Sequence, residues 1–360
     1  LKKEGTAGYI LTSNGSSKNP EYKQLEIAES PVFETTGTGI TYYQVPSGTS
    51  RIRVQAVGGG GGGSGDSDGT DYGGGGGGAG AYAESDITVS GNGGVKSLNT
   101  SITSAGSGYS AAVALATTGG TGTGATVTIN EVGTTGETSG QITDFDLVAN
   151  GSGYSAGDVL TIVQDGASGG TVTVADVNLA VLRITVGAGG SGVAAGGDSG
   201  DGLAQSGGNT TVEYPLTAPS EAPNTRMAQG GTVVVKAVGG GGAPFEGSNT
   251  ASPSAGGTGG AASASIGEIT ISGGNGGTQG TPYLGAVSPT NGLQIKVGGH
   301  GGHSRWGAAG YTVTESGNNT VYSSKMGYGQ GGKGVHVTSE NQPVAAESGG
   351  RGHVKIFLLN

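Results

Sequence analysis

Three carboxylates, Asp66, Asp68 and Asp71, stand in the stretch GDSDGTDYGG, between two runs of glycine. Carboxylate oxygens clustered on a tight turn are hard-cation chemistry, and Ca2+ is the ion they would suit. The spacing departs from that of an EF-hand and lacks its bidentate Glu, so a solvated loop tip is the competing reading. HGGHSRW places His300 and His303 three residues apart, but no further ligand for zinc lies nearby, and hydrogen bonding at a surface or subunit contact fits better. The only Trp, Trp306, follows Arg305 and precedes Tyr311 in the segment 303–328. With Phe245 in APFEGSNTASPSA and Tyr283 in TPYLGAVSPTN, these residues are candidate ligand contacts. Aromatic faces stack on sugars, and Trp, Tyr and Arg dominate binding hot spots. The alternative for Trp306 is a plug in a core or a subunit interface. Asp and Glu number 26, yet no motif marks a pair of them for glycoside hydrolysis, and the absence of cysteine removes thiolate chemistry. The residues therefore point to a non-enzymatic protein with no cofactor beyond a Ca2+ at the Asp cluster.

Such residues need elements to hold them, and the composition is unusual. Glycine supplies 83 of 360 residues, about three times the ordinary ~7% share. Charged residues are only 12%, too few for the charge-driven kind of disorder. The net charge is −10 and the 16 Lys and Arg are scattered, so there is no basic stripe for nucleic acid. No apolar run reaches the ~18 residues of a membrane span. Short runs rich in Val, Ile and Thr alternate in polarity between Gly, Asn, Asp and Ser: RIRVQAV (51–57), AESDITVS (83–90), LRITVG (182–187), TVVVKAV (232–238), LQIKVG (293–298) and HVKIFLL (353–359). This pattern predicts an all-β protein.

The strands run directly into glycine tracts, as in VQAVGGGGGGSG and YGGGGGGAG. A phosphate loop is excluded, because no helix pattern follows and GKG at 332–334 lacks the required spacing and Ser or Thr. A flexible linker would separate domains, whereas these tracts recur inside a repeated unit. The third reading is a bundle of extended helices with three residues per turn, bonded side by side through their backbones. Close approach there excludes Cβ, as it does at the axis of collagen. Interior helices would then need glycine at nearly every position, with Ala and Ser left for tract ends at the periphery. This polyglycine-II packing is the expected structure of the tracts.

An internal repeat organises the chain. SRIRVQAVGGGGGG is echoed by GTVVVKAVGGGG, GGAGAYAESDITVSGNGG by GGAASASIGEITISGGNGG, and LRITVGAGGSG by LQIKVGGHGGHS. The expected layout is two tandem jelly-roll-like β-sandwich modules with polyglycine-II bundles. The first module covers 31–94 plus 180–214 and the second covers 215–360. Residues 95–179 form an inserted small β domain with its own duplication around two GSGYS phrases, and 1–30 is a connector or attachment segment.

The order YYQVPSGTSRIRVQAVGGGGGG, second tract, AESDITV, LRITVGAGGSG, with the ending GGRGHVKIFLLN, resembles the glycine-rich domain of bacteriophage tail-fibre and adhesin proteins. A similar order occurs in the glycine-rich extracellular region of the anaplastic lymphoma kinase receptor, and phage tip adhesins also use polyglycine sandwiches. AGYILTSNGSS (7–17) resembles a linker phrase of marine-phage structural proteins, and the GSGYS repeats resemble modules of cyanophage virion proteins. The resemblance implies a jelly-roll-like fold carrying a polyglycine bundle and a location in the virion. It further implies homotrimers, contacts with other virion proteins, and loops that bind a glycan or protein of the host surface. The insertion at 95–179 departs from that family's pattern. A subunit of a secreted or cell-surface filament and a polysaccharide depolymerase are the alternatives.

Overall fold

The computed structural model describes residues 9–12, 21–24, 30–35, 37–64, 74–193, 204–214, 231–244, 255–277, 300–306, 327–333 and 346–359. All named strand pairings are antiparallel. A hairpin of β1 (Tyr9–Thr12) and β2 (Glu21–Gln24) stands near the N-terminus. A five-stranded sheet runs in the order β17 (Ile269–Ile271), β6 (Tyr82–Thr88), β5 (Arg51–Val57), β18 (His353–Leu359), β3 (Phe33–Glu34). A four-stranded sheet runs β16 (Val233–Ala237), β15 (Thr210–Glu213), β14 (Val181–Val186), β4 (Gly39–Gln44).

These two sheets enclose one core in a β-sandwich-like arrangement. Alternation along β5 buries Ile52, Val54 and Ala56 and turns Arg51, Arg53 and Gln55 outward. Val354 and Ile356 of β18 and Ile87 of β6 join them from the same sheet, and Leu182, Ile184, Val212 and Val235 face them from the other. Each such buried aliphatic side chain contributes about 1.5–3 kcal/mol relative to exposure. The sheets mix the two copies of the repeat: β16, β17 and β18 come from the second copy and pair with strands of the first. The tandem layout expected from the repeat is thus corrected to one shared sandwich. The first copy has strands in both sheets, but alone it would leave β3 without its partner β18 and the core without Val235, Val354 and Ile356, which the second copy supplies.

Between β6 and β14 the chain forms a separate seven-stranded sheet, in the order β11 (Ile142–Ser152), β10 (Thr123–Val132), β9 (Ala112–Thr118), β12 (Val159–Ile162), β13 (Ser168–Asn178), β7 (Gly94–Leu98), with β8 (Ser104–Ser107) also on β13. It curls until β11 approaches β7, and is nearly barrel-shaped around Val127, Ile129, Leu160, Val172 and Val174. Tyr109 and Tyr154 of the GSGYS phrases enter this core, where the Tyr109 hydroxyl donates to Ile162 O (2.8 Å). The glycine before each Tyr, Gly108 (φ 77°) and Gly153 (φ 81°), takes the left-handed turn that an L side chain resists.

The tract glycines serve a different purpose. In 58–64 the N–H groups of Gly58, Gly61 and Ser64 donate to Ala81, Gly78 and Gly75 of the tract 74–81. Gly59 and Gly62 donate to Gly208 and Gln205, and Gly60 and Gly63 to Gly350 and Glu347. Successive residues thus address three different neighbours, with a period of three. Carbonyls of the same tract accept from Gly240 and Ala243, from Gly190 and Val193, and from Gly332. The tract therefore has six neighbours: 74–81, 204–209, 346–350, 238–243, 187–193 and 327–333. The tract 74–81 is surrounded likewise, donating to 273–277, 327–333 and 238–243 and accepting from 58–64, 256–260 and 300–303. These two interior tracts are the two six-glycine runs. A Cβ on Gly60 would stand 1.9 Å from Gln330 O, on Gly61 2.0 Å from Gly241 O, and on Gly78 2.0 Å from Thr258 O. Glycine is needed here for space, at negative φ, because carbonyls of neighbouring tracts occupy the volume of a side chain.

Candidate functional site

The levels of the hydrogen bonds order the tract ends. Val57, Ala81, Gly187, Gly208, Val238 and Gly352 lie at the sandwich end of the bundle, where tracts pass into strands. Ser64 meets Gly75, Gly63 meets Glu347 and Val193, Gly62 meets Gln205 and Ala243, Gly76 meets Gly277 and Gly257, and Gly277 meets His300. These partners stand together at the opposite end. In sequence they bound the segments 65–73, 194–203, 245–254, 278–299 and 334–345, so the described residues on either side of each segment stand at this far end. Phe245, Tyr283 and the Asp66, Asp68, Asp71 cluster belong to these segments and lie outside the described residues, as do Tyr311 and the strand expected at LQIKVG. Among the described residues no group of three or more His, Asp or Glu could hold a metal ion. His300 and His303 are exposed, and their backbone carbonyls accept from Gly277 and Gly274 in the bundle.

Arg305 and Trp306 sit at the other end, over the outward face of the five-stranded sheet. Val57, Tyr82 and His353 are cross-strand partners there. Trp306 is half-buried and meets both Tyr82 and His353 edge-to-face, at centroid distances of 5.6 and 5.5 Å. Tyr328 stacks on the His353 ring at 3.8 Å. Three cations lie over three rings: Arg305 over Tyr82, Arg351 over Tyr328 and Lys355 over Trp306, at 5.1, 5.4 and 5.0 Å. Trp306 is thus packed into the sandwich surface against Tyr82, His353 and Lys355, while Arg305 at its side is exposed. The two predicted contacts come together on Tyr82, at the end of the bundle opposite Ser64, Gly75 and Glu347.

The partners of Trp306 were not apparent from spacing. His353 is fully buried, with Nδ1 3.1 Å from Thr35 Oγ1 and Nε2 2.6 Å from Glu34 Oε1. This Thr–His–Glu chain has the connectivity of a nucleophilic triad, but Thr35 is itself buried and its oxygen accepts the Val354 N–H at 3.0 Å. These bonds tie β3 to β18 as a lock. Burial holds the His353 imidazole below its ordinary pKa, and the hydrogen bond from His353 holds the Glu34 carboxyl below its own. Burial, reinforced by the Glu84 carboxylate that its hydroxyl bonds, pushes the Tyr82 phenol far up. The one sequence hint was the phrase GRGHVKIF, which puts a His where a glycine tract enters the last strand.

A pH dependence follows. With a folded pKa below the unfolded ~6.5, His353 favours the folded state fully above that value, and this contribution is lost as pH falls toward the folded pKa. Glu34 and Asp86, whose carboxyls are held below 4.5 and 3.8 by His353 and Arg53 respectively, add a second loss at lower pH. Urea midpoints measured between pH 7.5 and 5.5 are expected to fall, and His353→Gln is expected to flatten that slope. An equal slope in the variant would assign the dependence elsewhere.

Comparison with protein-family models and with curated proteins returns no match for this chain.

Proposed function

We propose that this chain is a non-enzymatic structural protein of a virion, a tail-fibre or adhesin component that holds binding segments rigidly away from its base. In this reading the tracts are polyglycine-II helices packed hexagonally on a jelly-roll-like sandwich. The three-residue hydrogen-bond period, the six neighbours of each interior tract and the exclusion of Cβ all support that packing. The observation that carries the functional reading is that the described residues bounding five connecting segments stand together at one end of the bundle, opposite the sandwich. Backbone bonds running in every lateral direction make a stiff post, and a rigid scaffold displaying variable segments is a common design for recognition. The segments at that end bear Phe245, Tyr283 and the Asp66–Asp68–Asp71 cluster, which in this reading contact a glycan or protein on a host surface, with Ca2+ a candidate aid. Arg305 and Trp306 lie toward the base and would face neighbouring virion subunits or further copies in a homotrimer, with Tyr311 of the following segment a candidate for the same contact.

Two measurements test this. Immunogold labelling is expected to decorate fixed positions on virions, whereas an unbounded polymer on cell surfaces would replace the proposal with the filament alternative. Purified protein is expected to bind bacterial surface polysaccharide without shortening it, and replacing 245–254 and 281–291 by Gly-Ser segments is expected to abolish that binding. Binding unaffected by both replacements would refute the far end as the contact surface.

A further inference from the structure

A tract at the rim of the bundle has neighbours on only part of its circumference. With three residues per turn, one set of its N–H groups points where, among the described residues, no backbone carbonyl stands. Along 238–243 these are Gly239 and Gly242, and they donate to Asn209 Oδ1 (3.0 Å) and Ser206 Oγ (3.4 Å). At a second place on the rim, Gly259 and Ala262 donate to Asn275 Oδ1 (2.8 Å) and Ser272 Oγ (3.1 Å). Donors and acceptors are both three residues apart, and the acceptors in both places belong to the same tetrapeptide, Ser-Gly-Gly-Asn, at 206–209 and 272–275.

The middle glycines bond inward through their backbones. Gly207 and Gly208 donate to Gly240 and Ala188, and Gly273 and Gly274 donate to Gly260 and His303. A Cβ on Gly207 or on Gly273 would stand 2.1 Å from a carbonyl oxygen, whereas Ser206, Asn209, Ser272 and Asn275 are exposed. Each tetrapeptide thus places glycine where a neighbouring tract presses close and a side-chain oxygen where the lattice ends. That oxygen takes the position which the carbonyl of one more tract would fill.

We propose that the two Ser-Gly-Gly-Asn segments are rim seals: they occupy acceptor positions that a tract from a second copy of this chain would otherwise supply, and so stop the bundle from growing sideways. An unsealed rim presents a periodic row of free donors, the same hazard that an open sheet edge presents to a passing strand. The seals work by satisfying those donors within the chain, at exposed positions where Ser and Asn side chains cost no packing.

The full chain carrying Ser206→Ala, Asn209→Ala, Ser272→Ala and Asn275→Ala together is the test. Sedimentation velocity should show it entering larger assemblies at concentrations where the wild type does not change. The amides of Gly239, Gly242, Gly259 and Ala262 should exchange roughly tenfold faster or more, as locally opened groups do. Asn209→Asp with Asn275→Asp keeps both Oδ1 acceptors and should retain wild-type assembly. An assembly state identical to wild type throughout, unchanged exchange at the four amides, or loss of the fold in the quadruple variant would each overturn the proposal. The inference rests on the packed-tract reading, and the two fail differently. Rapid exchange along 58–64 and 74–81 in the wild type would refute the packing itself, while those interior amides stay protected if only the seals are wrong.

Discussion

Gly61→Val is expected to abolish the cooperative fold. Its Cβ would stand 2.0 Å from Gly241 O, 2.3 Å from Gly241 C and 2.7 Å from Gly242 N, all of them backbone atoms. No rotamer change relieves such a contact. Moving Gly241 aside breaks its bond from Gly78 N and, through that tract, the bonds of the next neighbours. Overpacking in ordinary cores costs about 1–3 kcal/mol because side chains give way; here only backbone is available to move, so a cost above about 3 kcal/mol is expected on that scale. The control is Gly37→Ala, where the added Cβ meets nothing nearer than an Arg351 guanidinium nitrogen at 3.9 Å. It is expected to shift stability by no more than about 0.5 kcal/mol. Chemical denaturation of the two variants beside the wild type makes the comparison. Equal tolerance at both positions would mean that the tracts are not packed against one another.

The second large effect concerns the shared sandwich. A chain ending at Tyr214 keeps the whole first copy of the repeat, and as an independent module it would fold. In the structure it would lose β18, which lies between β5 and β3, together with β16 and β17. Val354, Ile356 and Val235 would leave the core, and the tracts 238–243, 327–333 and 346–350 would leave three sides of 58–64 bare. The truncated chain is therefore expected to show no cooperative thermal transition. Ile356→Ala in the full chain is the graded version, expected to cost about 2–5 kcal/mol as other buried large-to-small changes do. A sharp transition in the truncated chain would restore the tandem arrangement.

Strand positions were legible because alternation is a local property. RIRVQAV and HVKIFLL are β5 and β18 residue for residue, and the strands expected at 83–90, 182–187 and 232–238 match β6, β14 and β16 to within a residue or two at each end. The candidate contacts were less legible. Trp306 was conspicuous as the only Trp, but its neighbours Tyr82, His353 and Tyr328 come from distant parts of the chain. A lone aromatic in a sequence does not reveal whether its faces are open or its edges are taken. The rim acceptors were also hidden, since Ser and Asn beside glycine read as ordinary turn formers until their partners are seen.

The sequence by itself determined that this protein is built of β-strands and that two glycine runs must stand where nothing larger fits. Both follow from single-chain chemistry, the period of side-chain burial and the volume of a Cβ. Only the tertiary structure decided which strands share a sheet, which six tracts surround each interior run and which tract ends stand together away from the sandwich. Antiparallel pairing and lateral backbone bonds are nearly blind to residue identity. Many pairings of the same strands and tracts satisfy the same donors, and the choice among them is made by how the whole set closes around one core.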